Sequence, residues 1–242
     1  MKKTIGISIV VLAVTLVANA GVISVNFARD ATGFGAIEGG ESAGVIDTTD
    51  WVNVTTVGTT TGVGGSLIDI TLVAQGGGQV IVARGVESSQ LFNTGLRSSD
   101  AANNGTTYAT IANMTAQLAA DGATSYNLYV YYKSAVAGSY TADLALGQLD
   151  PLPTSTTYGA ADNNTFSSTG FVLADAGDLS VEANYIKYTG LTDDTITMFV
   201  DRGNKDTMFN GFQVETIPEP ATLGMVAAFG GAVIFIRRRL MM

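Results

Sequence analysis

The densest group of side chains suited to ligand binding is in residues 126–132, of which four are tyrosine. The only tryptophan in the sequence is Trp51. If residues 126–132 form a β-strand, alternation places Tyr129 and Tyr131 on one face beside Asn127. Rings beside hydrogen-bonding groups can stack on a sugar and bond its hydroxyls, so Tyr129, Tyr131 and Trp51 are candidate glycan contacts. The alternative, which we favour, is a central strand whose tyrosines fill cross-strand pairs, with Trp51 in the core.

The chain contains no histidine and no cysteine. Zinc sites built from those ligands are therefore excluded, as are Ser-His-Asp catalysis, Cys-His catalysis and any disulfide framework. A glycosidase could still operate with two carboxylates placed across a sugar ring. The 21 acidic residues make such a pair possible, but no spacing identifies it. We therefore predict no catalytic residue and no cofactor.

Neighbouring acidic residues are candidate oxygen ligands for Ca²⁺. The pairs are Asp193 with Asp194, Asp175 with Asp178, and Asp201 with Asp206. None of them follows the EF-hand loop or the Gly/Asp-rich nonapeptide array that binds calcium. We interpret them as solvated loop carboxylates and predict no metal site.

Charge is unevenly distributed along the chain, whose net charge is −9. Lys2 and Lys3 stand near the start, and Arg237, Arg238 and Arg239 stand near the end. Without these five, seven basic residues remain against 21 acidic ones, which leaves the intervening segment at about −14. An acidic surface repels phosphate, so nucleic acid is not an expected partner.

The segment between the termini has the pattern of a β-domain. Thr, Val, Gly and Asn are abundant, which suits strands joined by turns. Short strands at regular spacing predict an all-β sandwich over residues 21–216. The predicted strands are residues 22–27, 51–57, 67–73, 80–82, 126–132, 140–146, 185–188, 196–200 and 212–214. Residues 111–120, before the stop Asp121-Gly122, are a candidate helix that could equally be a strand and a loop.

The N-terminus has the pattern of a secretory signal. Lys2 and Lys3 form a positive start, residues 5–17 are apolar, and Ala18-Asn19-Ala20 gives the small-x-small pattern before a cut at Gly21. We predict a signal peptide over residues 1–20. The alternative is an uncleaved anchor, for which the apolar run is short.

The C-terminus combines a proline motif, an apolar run and a basic end. Pro218-Glu219-Pro220 precedes residues 221–236, which would span roughly 24 Å as a helix. This is slightly less than a hydrocarbon core of ~30 Å, a difference that snorkelling and local thinning can cover. Arg237-Arg238-Arg239 would stop the chain on the cytoplasmic side.

This tripartite arrangement over residues 217–242 resembles the PEP-CTERM sorting signal. The resemblance implies that Pro218, Glu219 and Pro220 are recognised by an exosortase, a membrane transpeptidase of Gram-negative bacteria that make extracellular polysaccharide. It also implies removal of the tail. The alternative is an ordinary membrane anchor that happens to follow Pro-Glu-Pro.

The segment between the two termini is similar to PEP-CTERM exoproteins of environmental bacteria. The likeness rests on residues 23–27, 43–51, 126–132 and 210–214. It implies a jelly-roll sandwich resembling carbohydrate-binding modules, and no activity comes with it.

We therefore expect a non-enzymatic protein that passes the inner membrane to the cell surface or extracellular matrix and associates with polysaccharide. The main rival is a carbohydrate-binding module that uses Tyr129, Tyr131 or Trp51. A carboxylate-based polysaccharide hydrolase is a third interpretation.

Overall fold

A computed structural model of the chain describes residues 20–29, 35–38, 40–74, 81–83, 90–97, 107–134, 140–148, 153–161, 170–201 and 207–219. Residues Ala20–Pro218 form one compact unit, and Met1–Asn19 and Glu219–Met242 fall outside it. The predicted apolar signal segment, Pro220, the apolar run 221–236 and the terminal arginines lie outside the described residues. Within the described ranges, no helix is long and apolar enough to cross a membrane.

The described residues are mostly β-strand, in two sheets, with one short α-helix, as an all-β chain predicts. The strands are β1 Val22–Phe27, β2 Trp51–Val54, β3 Gly58–Thr60, β4 Asp69–Ala74, β5 Ile81–Ala83, β6 Thr94–Arg97, β7 Thr107–Ala112, β8 Ala123–Ser134, β9 Tyr140–Gly147, β10 Thr156–Ala160, β11 Tyr185–Leu191, β12 Ile196–Asp201 and β13 Thr207–Pro218. The helix α1 is Met114–Asp121, and 3₁₀ turns occur at Val63–Gly65 and Gln90–Phe92.

Sheet 1 has the strand order β11-β8-β13-β1-β2, and β6 also pairs with β13 and carries β5. Sheet 2 has the order β10-β9-β12-β7-β4-β3. Among the described strands, the pair β1 and β2 is parallel and the other pairs are antiparallel.

The long strand β13 lies at the centre of sheet 1. One edge pairs with β8 along nearly its whole length, from Thr207 opposite Ser134 to Pro218 opposite Ala123. The other edge is shared, because β6 pairs with Met208 and Phe209 while β1 pairs with residues 211–215. The register against β8 shifts between Phe209 and Gly211, at the level where the other edge changes partner from β6 to β1.

Strand β13 continues past residue 216 to Pro218. Ile217 pairs with Ser125 and Pro218 with Ala123, with a register shift between the two pairs. Proline has no N–H to donate to a ladder, so it is tolerated where regular pairing ends. The first residue of the predicted sorting motif therefore lies in the folded sheet, and Glu219 follows it exposed to solvent.

The candidate helix is displaced toward its C-terminal end. Ile111 is in β7, where it pairs with Ile70 and Ile196, because a β-branched side chain packs well in a sheet. The helix begins at Met114, directly after Asn113. The φ of Asn113 is 65°, a left-handed conformation that asparagine tolerates. It ends at Gly122, whose φ is 62°, as glycine permits at a helix end.

The two sheets contribute side chains to one cluster of buried apolar residues. Sheet 1 supplies Val25, Phe27, Tyr126, Leu128, Val130, Tyr132, Phe212 and Val214. Sheet 2 supplies Ile70, Leu72, Ala109, Ile111, Leu144, Met198 and Val200. This shared burial is the main source of stability for a domain that has no disulfide.

We predict that replacing Gly211 with alanine destabilises the domain by about 1–3 kcal/mol, which is the range for overpacking a buried site. A Cβ at Gly211 would lie 2.3 Å from the carbonyl oxygen of Val25 and 3.2 Å from Cα of Asn26. Both are backbone atoms of β1, so neither can move without disturbing the sheet. The measurement is the free energy of unfolding from denaturant titration.

Gly177→Ala is the matched control. Its added Cβ would lie 3.2 Å from an oxygen of the exposed Asp175 side chain, which can move aside. We expect a change within about 0.5 kcal/mol there. Equal losses in the two variants would contradict the close approach of β1 to β13.

Candidate functional site

The tyrosine-rich strand β8 presents two faces, as its alternation predicts. Tyr126, Leu128, Val130 and Tyr132 belong to the core shared by both sheets. Tyr129 and Tyr131 belong to a second cluster of buried residues on the opposite face, together with Trp51. We call this opposite face of sheet 1 the tyrosine face. The three candidate glycan contacts are therefore brought together, and their exposure decides what they can do.

Tyr131 lies at the middle of an aromatic cluster and is 0% exposed. Its ring centroid lies 6.1 Å from that of Trp51, 6.2 Å from Phe92, 5.7 Å from Phe171 and 6.3 Å from Tyr185. Aromatic pairs at such separations and tilts add stability beyond their buried area. The ring has no free surface on which a sugar could stack.

The Tyr131 hydroxyl holds a surface segment onto the sheet. It accepts a hydrogen bond of 2.8 Å from the N–H of Val45 and donates one to Oε1 of Gln213. Oε1 of Gln213 also accepts from the N–H of Ile46 at 3.2 Å. Nε2 of Gln213 donates to the Ile46 carbonyl at 2.8 Å and to Oγ of Ser24 at 2.9 Å. Burial raises the pKa of Tyr131, so the hydroxyl stays neutral.

This segment approaches the sheet closely enough to require a glycine. Gly44 has φ of 89°, and a Cβ there would lie 2.5–2.7 Å from the side-chain amide of Gln213. Residues 43–48 pack against the aromatic cluster, and Gln213 and Tyr131 bind their backbone. We call residues 43–48 the covering segment.

Trp51 also has a structural environment. It is 9% exposed, and its indole Nε1 donates to the carbonyls of Ala43 and Thr48, both at 3.2 Å. A buried indole normally finds such a partner. Its contacts match the interpretation of Trp51 as a core residue.

Tyr129 differs from the other two because polar groups surround its hydroxyl. The side chain is 5% exposed, and its hydroxyl donates to Oε2 of Glu215 at 2.9 Å. The same carboxylate oxygen accepts from Nδ2 of Asn127 at 2.9 Å. The exposed Lys187 places its Nζ over the Tyr129 ring, 4.8 Å from the centroid. We call Asn127, Tyr129, Lys187 and Glu215 the Tyr129 patch.

The surroundings of Tyr129 and Lys187 keep the first neutral and the second protonated at neutral pH. Burial raises the pKa of Tyr129, so its hydroxyl is neutral. Interaction with Tyr129 and the charge of Glu215 raise the pKa of Lys187, so it stays protonated. The patch thus offers an ammonium donor, a carboxylate acceptor and an amide within one surface area, which are groups that can bond sugar hydroxyls.

Three members of the patch were not among the predicted site residues, and two of them, Lys187 and Glu215, come from other strands than Tyr129. Lys187 stands opposite Tyr129 on β11, and Glu215 stands opposite Asn127 on β13. In the sequence, Lys187 is a charged residue inside the predicted strand 185–188 and Glu215 follows the predicted strand 212–214, and charged residues at such places are common on solvent-facing positions. Strand register, which the sequence does not state, brings them to Tyr129.

The described acidic pairs serve local contacts. Oδ1 of Asp194 accepts from the N–H of Thr115 at 2.9 Å and so caps α1 from a distant loop. Asp175 and Asp178 accept hydrogen bonds within their own turn, and the bonds from Ser180 lower the pKa of Asp178. In the ranges that the structure describes, no three His, Cys, Asp or Glu side chains are grouped to hold a metal ion. Asp206 lies outside those ranges.

No protein-family model matches the chain, and no curated protein matches it. A solved structure, the catalytic unit of a thermostable GH87 α-1,3-glucanase from Streptomyces thermodiastaticus strain HF3-3, is similar over 63% of this chain, with 11% identity and a TM-score of 0.30. The matched part spans 28% of that glucanase chain. A likeness at this score carries no argument about function.

We predict that Tyr131→Phe lowers the free energy of unfolding by about 1–3 kcal/mol, because the half-buried N–H of Val45 loses its acceptor and the buried Oε1 of Gln213 loses a donor. Tyr129→Phe is the matched comparison. Glu215 keeps its bond from Asn127 and is half-buried, so we expect a loss of less than about 1 kcal/mol. Denaturant titration of both variants gives the comparison. A larger loss for Tyr129→Phe would contradict the assignment of Tyr131 as the residue that holds the covering segment.

Proposed function

We propose that this chain is an exported, non-enzymatic protein of the cell surface or extracellular matrix that associates with polysaccharide. A signal peptide over residues 1–20 directs export through the inner membrane. A PEP-CTERM segment then presents Pro218, Glu219 and Pro220 to an exosortase-type transpeptidase. The terminal arginines stop the chain on the cytoplasmic side before the tail is removed.

The observation that carries the proposal is the position of the two ends of the folded unit. The unit starts at Ala20 and finishes at Pro218, beside the two predicted processing points. Gly21 and Thr216 are joined by backbone and side-chain hydrogen bonds, with the Thr216 N–H donating to the Gly21 carbonyl at 2.9 Å. Both ends therefore leave the domain from one place, and the shared core is made by residues between them. This arrangement supports maturation at both ends without loss of the fold.

We further propose that the two sheets pack face to face as a β-sandwich of the jelly-roll type that the resemblance implies. Support comes from the large apolar cluster to which strands of both sheets contribute. A sandwich of this kind is stable without disulfides or a metal, which suits an exported chain without cysteine.

A structural role is favoured over specific glycan recognition because the aromatic side chains are engaged inside the protein. Tyr131 and Trp51 have buried rings, and their polar atoms bond the covering segment. Carboxylates with described contacts, such as Asp194 and Glu215, bind partners of the fold itself.

We predict that the mature protein, purified from the surface and medium of the native host, begins at Gly21 and ends near Pro218. Mass spectrometry of both ends measures this. The variant Glu219→Ala should retain the tail to Met242 in the inner membrane. Glu219 is exposed, so the change removes the motif without disturbing the fold.

Glu182→Ala is the control for Glu219→Ala, because it removes another exposed carboxylate outside the motif. It should be processed like the wild type. An intact tail in wild-type protein at the inner membrane would contradict sorting and leave a membrane-anchored ectodomain.

A second candidate function is carbohydrate binding at the Tyr129 patch, which is favoured by the exposed Lys187 beside the Tyr129–Glu215 hydrogen bond. For the structural role we predict that Lys187→Ala and Glu215→Gln leave association with host polysaccharide unchanged. For a glycan site, each variant should weaken saturable binding about tenfold or more, since bonds to charged groups contribute about 1.5–3 kcal/mol.

Co-sedimentation with host polysaccharide measures both outcomes, with Glu182→Gln as the charge-matched control. Loss of binding in the two patch variants, but not in the control, would replace the structural role by the lectin-like one. Release of reducing ends from the polysaccharide would overturn the non-enzymatic assignment.

A further inference from the structure

The backbone nitrogen of Gly21 lies in a small polar site formed by two distant parts of the chain. Its N–H donates to Oγ1 of Thr216 at 2.8 Å. The Thr216 hydroxyl in turn lies 3.0 Å from Oδ2 of Asp121, the last residue of α1. Asp121 is held from its other side by Nε2 of Gln117, which lies 3.0 Å from both carboxylate oxygens. The carboxylate is therefore fixed in position beside the start of β1.

A side chain at residue 21 would crowd the side chains of Asp121 and Thr216. A Cβ there would lie 2.6 Å from Oδ2 of Asp121 and 3.1 Å from Oγ1 of Thr216. Bonds from Cα to N and to Cβ are each about 1.5 Å, so Oδ2 of Asp121 lies within about 5 Å of the Gly21 nitrogen. An opposite charge within ~4–6 Å is enough to favour the charged form of a titratable group.

In the uncut chain the described partners of the Asp121 carboxylate carry no compensating positive charge. The Gly21 nitrogen is then an uncharged amide with one donor, and the described partners of Asp121 are the neutral groups of Gln117 and Thr216. Cleavage after Ala20 would convert the amide into an α-ammonium with three donors and a positive charge. The new charge would arise beside a carboxylate that the fold already holds in place.

We propose that Asp121 and Thr216 form a binding site for the α-ammonium of Gly21, which is created when the signal peptide is removed. The inference rests on the proposed export and cleavage at Gly21. Hydrolysis of the Ala20–Gly21 peptide bond gives the Ala20 carboxylate to the released peptide and the ammonium to the domain. The ammonium then joins β1 and α1 at the point where the mature chain begins.

The titratable group that the described contacts place at this site is Asp121 on α1. Glu215 on β13 pairs with Val22 in register, but its side chain bonds Asn127 and Tyr129 on the other face of the sheet. Asp121 acts to raise the pKa of the α-ammonium above the ordinary value of about 8. Because the folded pKa is raised, this stabilisation is present below about pH 8 and is lost as pH rises through the folded pKa.

The test uses the full precursor, exported in a Gram-negative host, and the processed protein recovered from it. Mass spectrometry establishes the N-terminus, and the rate of isotope-labelled acetylation of Gly21 against pH gives the pKa of its amine. We expect a pKa about one unit or more above the ordinary value in the wild type, and the ordinary value in Asp121→Asn. Glu182→Gln should behave like the wild type.

A second variant covers the case in which Asp121→Asn fails to fold. One alanine inserted between Ala20 and Gly21 leaves every side chain of the site intact and moves the amine away from it. Its amine should titrate at the ordinary value. A wild-type Gly21 amine with an ordinary pKa overturns the ammonium site and leaves export intact. An exported protein that begins elsewhere also overturns the site alone, and an uncut precursor overturns both proposals.

Discussion

The fold depends on the pairing of β13 with strands on both of its edges. Met208 and Phe209 pair with β6, and residues 211–215 pair with β1, while the opposite edge follows β8 to Pro218. The change of partner takes place where Gly211 lets the Val25 carbonyl approach. Because side chains alternate with a period of two, this register also decides which face each residue of β13 occupies. It sends Phe212 and Val214 to the core, and Gln213 and Glu215 to the tyrosine face.

The tyrosine face follows from that register and shows two kinds of surface. Gln213 lies where Tyr131 can bond it, and together they bind the backbone at Val45 and Ile46, which closes the aromatic cluster to solvent. Glu215 lies two residues after Gln213 on the same strand. It accepts hydrogen bonds from Tyr129 and Asn127 at a half-exposed position. The end of the face around Tyr131 is therefore buried like a core. The end around Tyr129 is a polar surface that a ligand could reach. Among the described residues of this face, exposed polar groups lie at the second end.

Strand β13 also brings the two ends of the proposed mature chain together. Thr216 follows Glu215 and faces Asp121 and Gly21, so the start of the proposed mature chain and the end of its last strand lie side by side. Antiparallel pairing of β1 with β13 makes this proximity unavoidable, because the first residue of one strand is opposite the last part of the other. A protein arranged in this way can lose a leader at one end and a tail at the other while its core pairing is kept.

Local patterns in the sequence were sufficient for the all-β class, for the two faces of β8 and for most strands of the core, because alternation is a property of a few consecutive residues. The absence of His and Cys excluded whole classes of chemistry directly. Four strands were missed, since none has clear apolar alternation and each is held by its partner strand: Gly58–Thr60, Thr94–Arg97, Thr107–Ala112 and Thr156–Ala160. Only the tertiary structure decided that Tyr131 and Trp51 are enclosed, that Lys187 and Glu215 meet Tyr129, and that Asp121 lies beside Gly21. Those contacts join residues far apart in the chain, and they depend on strand register and on the covering segment, which no local pattern encodes.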